Sequence, residues 1–525
     1  MPFPVSTKAC NMLKKIRIFL ATLVFTALSA FFLDVAQLLP DSFAKLAAVQ
    51  IVPALLAVNV VVLCFLVALT LLLGRVYCSV ICPLGILQDI FGRLAERIAR
   101  KKTKFKYTPA RTRLRWGMVA VAVIGPLSGL PVALSLLDPY SVFGRIAAHI
   151  LQPVAFAVNN FLEAILIQFG SYVLYHMDNS PFSLVALATA LVGLLAVACP
   201  AWRHGRAYCN IICPVGTILG FLGRRPVFGI QFDADKCSHC GRCEVRCKAG
   251  CIDSKNRVID YSRCLGCMNC LDQCSRDALR FSFRQPLAFQ QKDIAKESEK
   301  TLVDGSRRVF INSALGVAVL PVLPSKASAT DREQQAVFSS RLHPILPPGA
   351  QNFVHFTARC TACHACVSKC PSRVLQPALL EYGFGGVLQP LMTYSKGFCN
   401  YDCTICTSTC PSGALQPLTM AQKHMTQIGR VVFVEALCIV LTNGTHCGAC
   451  AEHCPTQAVT MVPFANGLTI PVIDPDICVG CGGCEYICPT RPYRAIYVEG
   501  NAVQRPRKAL QEEQREDMHI DSFGF

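Results

Sequence analysis

Over its first 200 residues the chain alternates long apolar stretches with short charged ones; it then turns polar and rich in cysteine. Four apolar runs, 18–39, 51–73, 114–137 and 184–198, reach or approach the roughly 20 residues that a membrane-spanning helix needs, so four such helices are expected. The first run follows Lys14, Lys15 and Arg17 and passes through "ALSA", like a cleavable leader. Its apolar character continues through Phe31, Phe32 and Leu33, which favours a retained anchor. Loop charge sets the direction, because Lys and Arg beside spanning helices stay in the cytoplasm. Residues 75–115 carry eleven of them, including "RKKTKFK", whereas 41–50 hold only Lys45 and 138–182 only Arg145. The N-terminus and the 75–115 loop are therefore expected on the cytoplasmic side, with 138–182 opposite.

The second and fourth runs end alike. "GRVYCSVICPLGIL" (74–87) and "GRAYCNIICPVGTI" (205–218) share Gly, Arg, Tyr, Cys, Ile, Cys, Pro and Gly at matching positions, and ten of twenty positions recur after 131 residues. Two related helical hairpins are implied. Each carries a C-x3-C-P pair, Cys78 with Cys82 and Cys209 with Cys213, and residues four apart share a helix face. Both pairs fall at cytoplasmic helix ends, where the four thiols could converge on a joint redox or metal site. The plain alternative is packed thiols before a helix-ending proline.

Beyond residue 230 the cysteines follow ligand spacing. Residues 237–247 and 264–274 each read C-x2-C-x2-C-x3-C, the run that holds three corners of a [4Fe-4S] cube and lends its fourth thiolate to a neighbouring cluster. This puts Cys237, Cys240, Cys243 and Cys274 on one cluster, and Cys264, Cys267, Cys270 and Cys247 on the other. Cys251 has no place in either run. Four more runs follow: Cys360, Cys363, Cys366 and Cys370; Cys399, Cys403, Cys406 and Cys410; Cys438, Cys447, Cys450 and Cys454; Cys478, Cys481, Cys484 and Cys488. Six [4Fe-4S] clusters are expected. Adjacent or nested exchange of fourth ligands among the last four runs is equally compatible with the spacing. Zinc would predict paired C-x2-C knuckles without the third cysteine. "CTACH" (360–364) also fits a c-type haem attachment site, but Cys366 and Cys370 complete the cluster run.

Composition agrees with a membrane-bound metalloprotein: of 525 residues, 52% are hydrophobic and only 16% charged. The net charge of +18 would suit nucleic acid, yet the basic residues cluster beside apolar segments and thiolate-bound clusters add negative charge outside that sum. No nucleic-acid partner is expected. Between the halves, "SRRVFINSALGVAVLPVLPSKASA" (306–329) pairs Arg307 and Arg308 with an apolar stretch and a small-x-small ending, like a twin-arginine export signal placed mid-chain. The domains expected are a helical membrane domain (1–228), a cytoplasmic two-cluster ferredoxin (229–285), a linker with signal or fifth anchor (286–330), a periplasmic four-cluster polyferredoxin (331–505) and a charged tail (506–525). The fold class is an α-helical membrane domain with small α+β ferredoxin-like domains.

With its helices, two C-x3-C-P motifs and ferredoxin runs, residues 1–285 resemble the NapH family of membrane ferredoxin-type proteins. Residues 306–500, with SRRVF and runs such as "CVGCGGCEYICP", resemble the NapG/MauM family of exported polyferredoxins. The resemblance implies a quinol dehydrogenase module in the bacterial inner membrane. It would feed a periplasmic oxidoreductase or cytochrome, as in nitrate reduction, or serve methylamine oxidation as MauN and MauM do. Six clusters make a wire rather than a catalytic pocket, and "GFGG" (383–386) lacks the setting of a nucleotide loop. Quinol is thus the expected membrane substrate, with Asp138, Tyr140 and Arg145 as candidate proton acceptors or binding groups and His149 and His176 nearby. The alternative is a redox accessory factor in which Cys78, Cys82, Cys209 and Cys213 handle a metal or thiol for another enzyme, as copper-handling relatives with this motif do.

Overall fold

The computed structural model describes residues 7–98, 105–177, 183–283 and 341–508, except 36, 41 and 234. The described residues other than Arg341 make up one compact unit. The twin-arginine-like segment 306–329 lies outside the described residues, as does most of the charged tail.

The helical domain begins with α1 (Thr7–Leu33), followed by α2 (Ser42–Ala48), α3 (Ile51–Leu56) and α4 (Val60–Leu73). The run 51–73 is therefore not one helix. Val58 has a positive φ, and the Asn59 side chain accepts a hydrogen bond from Val62 N, capping a new start. The run 114–137 also divides, into α7 (Thr112–Leu127) and α8 (Val132–Leu137), at Gly129 with φ +83°. Among the described residues three helices are long and apolar enough to cross a membrane: Met12–Leu33, Pro139–Gln168 and Leu184–His204. The second of these corrects the reading of 138–182 as a loop. Asp138 caps α9 (Pro139–Ile146) by accepting from Tyr140 N and Ser141 N, and Pro139 sits at the helix start where no N–H is needed. A π turn over Ala147–Leu151 then leads into α10 (Gln152–Gln168), whose Pro153 lies in its first turn.

The repeated motifs build matching corners. After α4 come α5 (Tyr77–Val80) and the amphipathic α6 (Pro83–Ile98); after α11 (Leu184–His204) come α12 (Ala207–Ile211) and α13 (Pro214–Leu222). In each repeat a short helix carries the first cysteine, the second follows the turn, and the proline opens the next helix.

Antiparallel two-stranded sheets hold the cluster-bearing domains. In the first, β1 (Phe228–Phe232) pairs with β4 (Leu279–Phe283), enclosing β2 (Ile252–Asp253) and β3 (Val258–Ile259). In the second, β5 (Leu375–Pro377) pairs with β6 (Pro390–Met392), β7 (Thr426–Phe433) with β10 (Ile496–Pro506), and β8 (Val459–Pro463) with β9 (Thr469–Ile473). One hydrophobic core runs from Ile252 and Leu279 of the first domain, through Tyr77, Tyr208 and Phe143, to Ala365 of the second.

Helix α1 joins both domains. Near its start Lys14 pairs with Asp272 of the first domain; just past its end Asp34 pairs with Lys369 of the second at 3.3 Å. Twenty residues of helix separate the two contacts by about 30 Å. The two cluster-bearing domains thus engage opposite ends of one apolar helix.

Candidate functional site

The cysteines gather into sets that mix neighbouring runs. Cys237, Cys240, Cys243 and Cys274 line one cavity. Cys264, Cys267 and Cys270 lie within electrostatic reach of Cys247. In the second domain, Cys360, Cys363 and Cys366 share a cavity with Cys410, and Cys438, Cys447 and Cys450 share one with Cys488. The complementary sets are Cys399, Cys403 and Cys406 with Cys370, and Cys478, Cys481 and Cys484 with Cys454. The sets mix adjacent runs and not nested ones, a choice that the spacing left open. Cys399 N donates to Cys481 O at 2.9 Å, linking the two adjacent pairs. The four sets therefore follow one another from the Cys360 set, through the Cys399 and Cys478 sets, to the Cys438 set.

Backbone N–H groups converge on these sulfurs: Ala278 N on Cys274 (3.2 Å), Leu415 N on Cys410 (3.4 Å) and Gly480 N on Cys478 (3.2 Å). Such donors stabilise thiolates and tune a bound cluster. Burial opposes ionisation of the free thiols, pushing Cys363 up to about 12. Cys247 goes the other way, down to about 6, because its sulfur shares a hydrogen bond with Cys251 at 3.5 Å. Cys251, almost wholly buried, thus has a role that its position outside the runs concealed.

The C-x3-C-P pairs face each other across the repeat. Arg75 of the first repeat donates to Cys209 O of the second at 3.0 Å, and Arg206 of the second donates to Cys78 O of the first at 2.7 Å. Glycine makes this crossing possible: a Cβ on Gly85 would lie 2.5 Å from Arg206 Nη1, and one on Gly216 would lie 2.6 Å from Arg75 Nη2. Cys78, Cys82, Cys209 and Cys213 are 3–4% exposed and lie within electrostatic reach of one another. Arg75 also donates to Ser262 O at 3.1 Å, which ties the thiol corner to the loop before Cys264. Asp89 on α6 accepts from Arg206 at 2.7 and 2.8 Å and from Lys248 at 2.6 Å. Burial works against its charge, yet these two cations hold it well below the usual carboxylate range.

On the far side of the thiols, α9 meets the Cys360 run. Arg145 Nη1 donates to Ala362 O at 3.3 Å, and a Cβ on Gly144 would lie 2.2 Å from Cys363 O. Asp138 serves as the α9 cap, and Tyr140 is buried. His149 in the π turn lies 2.6 Å from His364 Nδ1, whose Nε2 faces Leu388 O at 2.8 Å. Nε2 of His364 must carry its proton to donate there, so Nδ1 accepts from His149. His149 is thus half-buried and partnered. His176 lies apart, exposed and paired with Glu163 at 3.1 Å. Among the described residues no three His, Cys, Asp or Glu side chains are close enough to grip a single metal ion.

Comparison with known proteins gives the same division. A family model described as a 4Fe-4S binding domain matches residues 55–106 and 186–231, the two thiol hairpins, and a 4Fe-4S dicluster domain matches 445–491. From Escherichia coli, the YccM protein is 24% identical over 243 residues, covering 45% of this chain and 59% of YccM. Ferredoxin-type protein NapH is 26% identical over 218 residues, 40% of this chain and 62% of NapH. Ferredoxin-type protein NapG is 28% identical over 196 residues, 35% of this chain and 81% of NapG. The chain thus spans about three fifths of YccM and NapH. No solved structure matches. Segments similar to the ferredoxin-type proteins NapH and NapG thus stand together in this one chain, with matches to iron–sulfur binding domains in both its helical and its cysteine-rich parts.

Proposed function

We propose that this chain oxidises quinol in the bacterial inner membrane and passes electrons through six [4Fe-4S] clusters to a periplasmic reductase such as nitrate reductase. The observation that carries the reading is α1, with one cluster-bearing domain at each end of a helix able to span the membrane. The six cysteine sets are the proposed ligands. Clusters bound there supply one-electron transfer. The Cys360 set lies nearest the helical domain, beside Tyr140, Arg145 and the His149–His364 pair, and the Cys438 set ends the series where a partner would collect electrons.

The polar groups at this junction suit a two-proton carrier. Arg145 is oriented by Ser135 O and Ala362 O, and Tyr140 Oη is buried with no hydrogen-bond partner among the described residues. The accessory-factor reading draws less support, because four thiols only 3–4% exposed are out of reach of a client protein.

The test is anaerobic purification in detergent, with EPR and visible spectra before and after a quinol analogue, with and without a quinone-site inhibitor. Inhibitor-sensitive reduction of the clusters is expected. Clusters that dithionite reduces and quinol does not would contradict quinol as the donor.

A further inference from the structure

We propose that Cys78, Cys82, Cys209 and Cys213 ligate one further iron–sulfur cluster, shared between the two repeats and standing between the ferredoxin and polyferredoxin domains. The first argument is stoichiometric. The matched segment 55–106 contains only Cys64, Cys78 and Cys82, and 186–231 only Cys199, Cys209 and Cys213. Cys64 and Cys199 are exposed, whereas the other four are buried together. Neither hairpin can supply four thiolates, and the pair can.

The second argument is that every one of the four sulfurs already faces an N–H donor. Gln88 Nε2 donates to Cys209 at 3.0 Å, Gly216 N to Cys213 at 3.3 Å, and Arg75 Nη2 points at Cys78 from 3.9 Å. Gly85 N serves Cys82, so the glycine of each C-P-x-G turn plays the same part in both repeats. These are the donors seen at Cys274, Cys410 and Cys478, and neutral thiols need none of them.

The third is charge. Arg75 is fully buried, and its hydrogen-bond partners, Asn210 Oδ1, Ser262 O, Cys209 O and Cys78 Sγ, include no carboxylate. Arg206 and Lys248 share the single carboxylate of Asp89. An excess of positive charge is left, which the neighbouring Cys264 set shares in offsetting through Arg75 and Lys248, and an uncompensated buried charge is costly. Four thiolates around the dipositive core of an oxidised iron–sulfur cluster carry two negative charges, which suits these surroundings.

Position gives the site its use. On one side Arg75 touches Ser262, two residues before Cys264; on the other, α6 packs on α9, whose Gly144 abuts Cys363. A cluster bound here would be a one-electron carrier between the two domains, a role that rests on the electron-transfer reading above.

Native mass spectrometry of the full chain, purified anaerobically in detergent, counts the clusters directly. The wild-type chain is expected to carry the mass of one cluster more than a C78S/C82S/C209S/C213S chain, with iron and acid-labile sulfide lost together. An unchanged load, or loss of one metal ion without sulfide, overturns the proposal. If the quadruple variant does not accumulate, Gln88→Leu decides, because it removes the donor to Cys209, with one bond to Leu84 O in its own helix, and leaves all four thiols in place. One redox component should then move to lower potential or disappear while the rest keep theirs, and a titration with every component unmoved overturns the proposal. The cluster count needs no quinol, so its failure and a failure of quinol oxidation are separate results.

Discussion

At the ferredoxin junction Asp89 binds both Arg206 and Lys248, Glu96 meets Arg246 at 3.2 Å, and Lys14 meets Asp272. At the polyferredoxin junction Asp34 pairs with Lys369. Other contacts there are side-chain donors on backbone carbonyls, from Arg145 to Ala362 O and from Gln152 to Ser368 O, the histidine pair, and the cations of Lys369 and Arg373 over the rings of Phe31 and Phe156. The first domain is fastened by charge and follows α13 directly in the chain. The second is fastened by shape and by fewer ion pairs, and residues 284–340 lie between it and the first in sequence. Close glycine fit is common to both ends, since a Cβ on Gly220 would lie 2.3 Å from Ser262 O and one on Gly144 2.2 Å from Cys363 O; the difference teaches that ion pairs are an added fastening at the ferredoxin end.

Substitutions can break this contrast at either end. Asp89→Ala should have the largest effect: it leaves two buried cations unpaired and should cost about 3–5 kcal/mol, read as an earlier thermal unfolding of the ferredoxin end in detergent. Gly144→Val should act at the other end. Its Cβ would overlap Cys363 O, at a cost of about 1–3 kcal/mol. Hydrogen exchange should rise across 360–370 and stay unchanged across 237–274. His149→Ala should be mildest, removing one hydrogen bond worth about 1 kcal/mol. It should raise exchange near His364 without altering the cluster content.

Much of this was legible in the sequence, for local reasons. Three thiolates of a cluster come from one tight loop, so the runs announce themselves by spacing, and the C-x3-C-P repeat survives as identities. The fourth ligands were not legible, since pairing Cys410 with Cys360 depends on how two loops pack. Cys251 and His364 were hidden for the same reason: each works through a partner distant in sequence. The helices failed differently. Apolarity alone joined 51–56 to 60–73 across the Asn59 cap, and prolines and scattered polar residues disguised Pro139–Gln168, where Pro139 opens a helix and a π turn precedes Pro153.

The central claim is that electrons cross between the two domains. The most direct test reconstitutes the chain in liposomes in one orientation and adds a membrane-impermeant reductant on the ferredoxin side, following the polyferredoxin clusters by EPR. The account predicts that those clusters become reduced in the wild-type chain and stay oxidised, or are reduced far more slowly, when Cys78, Cys82, Cys209 and Cys213 are replaced by serine. Trans-side clusters that stay oxidised in the wild type, or become reduced equally fast without the four thiols, would contradict it.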